Sequence, residues 1–168
     1  KVDYRSRENV NHNFYFINKD NANSSQNSLR NQLAITSIPR ELILKRKGYK
    51  FVLNNFYGNL IDIEFESFMN KNLVFQDFSL VAKKAKFIII RNIPQLNDNL
   101  KDYIHRFISL IDAFYENKNI LSISTRVELD SIYNGKKNAV ELKRTISRLK
   151  EMGSNTYITK NLKNFVKK

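Results

Sequence analysis

Between residues 138 and 154 the chain reads NAVELKRTISRLKEMGS, and its apolar positions Leu142, Ile146, Leu149 and Met152 recur at spacings of four, three and three. That rhythm lays a single apolar stripe along a helix. Asn138 is placed to cap the start, with Glu141 reaching back, and Gly153 to stop the end. A second stripe, through Ile104, Phe107, Ile108, Ile111, Phe114 and Tyr115, predicts a helix of about four turns over residues 100–115. Two short runs without any period flank it. FIII (87–90) and ILSIS (120–124) read as strands buried on both faces. Pro94 ends the first, Asn97 or Asn99 opens the helix, and Asn117 and Asn119 close it. Strand, helix, strand is a βαβ unit, whose crossover is expected to be right-handed.

Upstream the pattern changes. After Pro39 a hairpin is expected: YKFVLNN alternates loosely, FYGN turns, and LIDIEF places Ile61, Ile63 and Phe65 on one face and Asp62 and Glu64 on the other. Leu60 breaks the alternation at the strand's start. The Asn/Ser-rich stretch NKDNANSSQNS (18–28) reads as a loop separating an apolar FYFI (14–17) from the main body. Residues 1–38 thus form a connecting segment, and residues 39–168 an α/β part that ends in VELDSIY, the opening helix and a basic tail, NLKNFVKK.

Composition narrows the function. With 168 residues, 42% of them hydrophobic, the chain has material for one core. No apolar run approaches the about 20 residues of a bilayer-spanning helix, and the polar start KVDYRSRENVNHN is not a signal peptide. The lack of Cys excludes disulfides, thiolate metal sites and a cysteine nucleophile, and His12 and His105 sit in no ligand spacing. A cytoplasmic, bacterial setting is expected. The net charge of +13 invites a nucleic-acid reading. Lys45, Lys71, Lys83, Lys101, Lys118, Lys136 and Lys160 are scattered, however, and the accompanying Asn and Ile match an AT-rich coding bias. A solvated basic surface accounts for them.

Catalytic patterns are missing. Gly48, Gly58, Gly135 and Gly153 do not form the GxxxxGK[ST] that cradles phosphates, nor a GxGxxG. Ser122 and Ser124 have no neighbouring His, Asp112 stands in mid-helix where an ion pair or cap suffices, and the FIII strand ends in Arg91 rather than a carboxylate. In open α/β sheets ligands gather at the carboxyl ends of strands. Here those ends are Arg91-Asn92 and Thr125-Arg126, read either as ligand-facing or as surface loop.

One pattern is distinctive. RFISLIDAFYENKNILSIS (106–124), the Tyr133 of ELDSIY, and ELKRTISRLKEMGSNTY (141–157) resemble the C-terminal part of the ZapE family of AAA+-like P-loop ATPases, which includes mitochondrial AFG-type members. The matching positions are Arg106, Phe107, Ile108, Leu110, Ile111, Asp112, Tyr115, Tyr133, Arg144, Thr145, Ser147, Arg148, Leu149, Glu151, Met152, Ser154 and Tyr157. Looser similarity covers FIIIRNIPQL, IEFESFMNKNLVFQDF and the DYR at Asp3–Arg5. The departures are Met69 for a frequent Cys, Leu142 for the usual Phe, and Arg91-Asn92 for an acidic turn.

The resemblance implies a partial P-loop NTPase-like sheet with a βαβ unit, an added β-hairpin and C-terminal helices. It implies ATP and Mg²⁺ for the intact family member, none for this chain alone, and Arg144 or Arg148 as sensor-2-type phosphate contacts. Their alternative is pairing with Glu141 and Glu151 on the same helix. The family's Walker A, Walker B and sensor-1 segments precede its DYR, so a fragment partnered by a missing N-terminal ATPase half is expected. FtsZ or another protein is the expected substrate. The rival readings are a basic module for nucleic acid or other anionic partners, and a non-functional gene remnant.

Overall fold

The computed structural model describes residues 15–17 and 21–166. Six strands form one mixed sheet: β1 (Tyr15–Ile17), β2 (Arg40–Arg46), β3 (Tyr49–Phe56), β4 (Leu60–Glu64), β5 (Phe87–Ile93) and β6 (Ile120–Thr125), in the order β1-β6-β5-β4-β3-β2. The first four in that order are parallel, and β3 and β2 extend the sheet antiparallel. The helices are α1 (Ala22–Leu33), α2 (Phe65–Met69), α3 (Phe75–Lys84), α4 (Lys101–Glu116), α5 (Ala139–Met152) and α6 (Asn155–Val166). The expected α/β class, the βαβ unit β5-α4-β6, the added hairpin and the C-terminal helices are all present.

The centre of the sheet is β5. Phe87, Ile88, Ile89 and Ile90 are buried on both faces, as a strand flanked by parallel neighbours requires. Leu121 and Ile123 of β6 point toward α5, while Asp62, Ile89 and Ser122 stand in register on the opposite face, under α1. Phe65, Phe78, Phe107 and Phe114 are fully buried, and the Phe65 and Phe107 rings meet edge to face at 5.8 Å.

Several local features differ from the sequence pattern or were not read from it. The Asn/Ser-rich stretch is largely helical: α1 begins at Ala22 and buries Ala22, Gln26 and Leu29, one face at spacings of four and three. Arg40–Arg46 is a strand that pairs with β3 across the turn Lys47-Gly48, where Gly48 takes a φ of 74°. Phe65 starts α2 instead of continuing β4, and most of the basic tail belongs to α6. The capping box at Asn138 does not form. Its side chain makes no cap bond, and its backbone N–H donates to the Tyr133 hydroxyl at 3.0 Å. Asp3–Arg5, on which part of the resemblance rested, lie outside the described residues.

Candidate functional site: the joint between α4 and α5

Apolar packing brings α4 and α5 together, and their polar flanks then meet. Phe107, Leu110, Ile111 and Phe114 of α4, and Leu142, Leu149 and Met152 of α5, are buried. Asp112 of α4 accepts a hydrogen bond from Arg148 Nη1, and Arg144 Nη2 lies 3.8 Å from its other oxygen. The Arg148 guanidinium sits 4.6 Å above the Tyr115 ring, held between a carboxylate and an aromatic face. Tyr115 donates its hydroxyl proton to Glu151 at 2.8 Å, a bond that raises the phenol's pKa. Both arginines therefore pair with Asp112 across the helix interface, and not with Glu141 or Glu151 of their own helix. Asp112 makes an inter-helical contact rather than a local one.

The same joint continues into α6. Ser154 Oγ donates to the Glu151 carbonyl at 2.7 Å and accepts the Tyr157 N–H at 3.2 Å, which caps the helix. Tyr157 is buried and donates to the Asn119 carbonyl at 2.9 Å; burial drives its pKa strongly upward. Arg106 ties α4 to the α2–α3 connection through the Met69 carbonyl (2.6 Å) and Asn72 Oδ1 (2.9 Å). Tyr133 donates to Asp98, whose carboxylate also accepts the Lys136 N–H at 3.0 Å; these bonds hold the Asp98 pKa below its ordinary value.

Of the two strand ends, Arg91, Asn92 and Thr125 make contacts within the fold. Arg91 lies within β5 and is buried, gripping Asp62 with two hydrogen bonds of 2.8 and 2.9 Å and reaching Asn23 Oδ1 (2.5 Å) and Asn27 Oδ1 (2.8 Å) on α1. Arg30 of α1 adds a bond to Asp62 at 3.1 Å, and Gln26 donates to Ser122 Oγ at 3.1 Å. Asn92 takes a φ of 61°, and its N–H donates to Ser124 Oγ at 2.9 Å where the β5–β6 register shifts. Thr125 is buried and donates to the Val127 carbonyl at 2.7 Å, while Arg126 is exposed. The buried Asp62–Arg91 pair escaped the sequence reading. Its trace in the sequence is Asp62 between two isoleucines of β4 and Arg91 at the end of the FIII run of β5.

Six of the residues that the family pattern singled out, Asp112, Arg148, Tyr115, Glu151, Ser154 and Tyr157, touch one another in series along this joint, while Arg106 and Tyr133 tie down neighbouring segments. A family model described as AFG1-like ATPase matches residues 1–161. The chain belongs to the AFG1-like ATPase family. Lactation elevated protein 1 homolog B of Danio rerio is 28% identical over 156 residues, 90% of this chain and 31% of that protein. An uncharacterised protein of Schizosaccharomyces pombe is 33% identical over 86 residues, 51% of this chain and 19% of its own length. Cell division protein ZapE of Escherichia coli K12 is 32% identical over 82 residues, 49% of this chain and 22% of its own. The chain therefore spans less than a third of the curated relatives it matches. No solved structure matches it.

Do these residues fit ATP and Mg²⁺? Among the described residues no cluster of three or more His, Cys, Asp or Glu side chains is assembled as a metal site. A hollow of about 430 Å³ beside β6 is floored by Leu121, Ile123, Leu149 and Met152 and rimmed by Glu128, Asp130 and Lys150, whose ammonium is already paired with Asp130 at 2.5 Å. The sequence carries no GxxxxGK[ST] loop to cradle phosphates beside these residues. The two arginines of the joint differ in how far they are committed. Arg148 is 29% exposed and committed to Asp112 and Tyr115, whereas Arg144 is 55% exposed and only loosely held. No described helix is long and apolar enough to cross a membrane.

Proposed function

We propose that this chain is the C-terminal portion of an AFG1-like ATPase. It completes the sheet and lends one arginine, Arg144, to nucleotide phosphates gripped by a GxxxxGK[ST] loop elsewhere in the protein. The observation carrying this reading is the division of labour at the α4–α5 joint. Asp112 and Tyr115 lock Arg148 into the fold, while Arg144, one helical turn away, keeps donors facing solvent. A guanidinium suits phosphate because its charge is permanent and its donors are forked. The work driven by hydrolysis would be remodelling of a protein partner. The cell-division role in ZapE's name makes a division-ring protein such as FtsZ the first candidate.

The test has two arms. The isolated chain should bind ATP no more than weakly and turn none over; turnover lost on Arg144→Ala would overturn the fragment reading. In a chimera carrying this chain in place of the matching part of E. coli ZapE, Arg144→Ala should lower kcat on the order of 100-fold, the size expected for losing a preorganised cation at transferring phosphate. Arg148→Ala should instead act through stability. An Arg144→Ala chimera of unchanged kcat would remove Arg144 from the site.

A further inference from the structure

The sheet ends in β2, a seven-residue strand paired with β3 on one side; none of its outer main-chain groups is hydrogen-bonded to another described residue. A long bare edge is normally guarded by charge or a bulge, because it invites another strand. Here the charges, Arg40, Glu41, Lys45 and Arg46, and a register shift between Arg40 and Leu42 lie toward the strand's ends, and the middle is apolar. Leu42 and Leu44 turn inward, and Glu41, Ile43 and Lys45 share the outer face, with Ile43 52% exposed at the middle. Lys45 also stands directly opposite Lys50 of β3, a like-charge pair that destabilises a hairpin left alone. None of Glu41, Lys45 and Lys50 has an ion-pair partner among the described residues.

The strand RELILKR is self-complementary about Ile43. We infer that β2 pairs antiparallel with β2 of a second copy of this chain across a two-fold axis at Ile43, joining two sheets into one. In that register Ile43 meets Ile43, Leu42 meets the second copy's Leu44, and each Glu41 stands opposite the second copy's Lys45. The carboxylate so delivered is the counter-charge the Lys45–Lys50 pair lacks. Arg40 would face the second copy's Arg46, whose charge is already held by Asp77 at 2.6 and 3.1 Å. A two-fold contact of this kind closes after two copies, because each patch is its own complement. An acidic peptide added to the same edge would gain the lysines but waste Glu41, which favours the second copy.

Charge exchange tests the register. Sedimentation equilibrium of the 168-residue chain, from about 10 to about 500 µM, should show a mass rising from 19.8 kDa toward twice that value. Glu41→Lys and Lys45→Glu, both on exposed side chains, should each weaken association about tenfold or more by opposing like charges. The double variant restores both cross-pairs and should restore association. Within one chain the two residues lie too far apart along the strand to compensate each other. As the chain has no Cys, Ile43→Cys should form a disulfide dimer under mild oxidation far faster than Val140→Cys, which is 81% exposed and lies far from β2. Circular dichroism should show every variant folded. A single-chain mass throughout, a dimer indifferent to either single swap, failure of the double variant to recover, or equal crosslinking at both cysteines would each overturn the pairing.

Discussion

At the scale of single residues, two arginines one turn apart on α5 do different work because of what lies across the interface. Arg148 has a carboxylate below it and a tyrosine ring beneath its plane, and its truncation would strip Asp112 of its principal partner. Arg148→Ala should therefore cost about 1–2 kcal/mol, the range of a charge-assisted bond plus a cation–π contact in a half-buried place. Arg144→Ala should stay within about 0.5 kcal/mol, since a 3.8 Å pair at an exposed side chain is worth little. Urea unfolding of the two variants at pH 7 separates them, and equal losses would refute the bracing role of Arg148. Sequence spacing exposed this arginine pair but not its partner. Periodicity identifies neighbours three and four residues away on one helix, so Glu141 and Glu151 were the visible candidates, whereas Asp112 is brought close only by packing α4 on α5.

At the scale of elements, stripes and apolar runs made β5, α4, β6 and α5 legible, because each buries a pattern its own residues announce. α1 and β2 were hidden for opposite reasons. The residues of α1 are mostly poor helix formers, and composition alone says loop; besides Ala22 and Leu29, the helix is held by polar contacts to a polar patch of sheet, which an apolar period does not report. β2 does alternate, and Gly48 marks its turn, but charged residues at both ends disguised it. The polar docking of α1 has a consequence. Asn23 and Asn27 both accept from the buried Arg91, so Asn23→Ala with Asn27→Ala leaves Nη1 only the Asn23 carbonyl and Nη2 only Asp62, one unpaired N–H on each, at a cost of about 1–3 kcal/mol for each lost acceptor. Amide exchange over residues 22–33 should then accelerate well before that of β5. Uniform acceleration across the chain would instead mean that α1 and the sheet open as one unit.

At the scale of the whole molecule, the joint from α4 to α6 sets how the fold responds to pH. Tyr157 is deprived of water and donates to the Asn119 carbonyl at the start of β6, so its neutral form is strongly favoured in the folded state. Tyr133 is shifted the same way by burial and by Asp98, and Tyr115 by its bond to Glu151. A phenol whose pKa is raised on folding contributes stability in full below the unfolded value of about 10, and loses it as pH climbs toward the folded value. Asp98 works at the other end, since its lowered pKa contributes stability above the ordinary carboxylate range and loses it as pH falls. Stability should accordingly be level through neutral pH and fall from about pH 10 upward. Tyr157→Phe should cost about 1 kcal/mol at pH 7, for the lost hydrogen bond, and should flatten the alkaline fall. Thermal unfolding followed by circular dichroism between pH 7 and 11 would check both. A variant whose alkaline limb matches that of the parent would show that the last turn of the joint opens to water before the rest of the fold does, and that Tyr157 does not govern the alkaline edge.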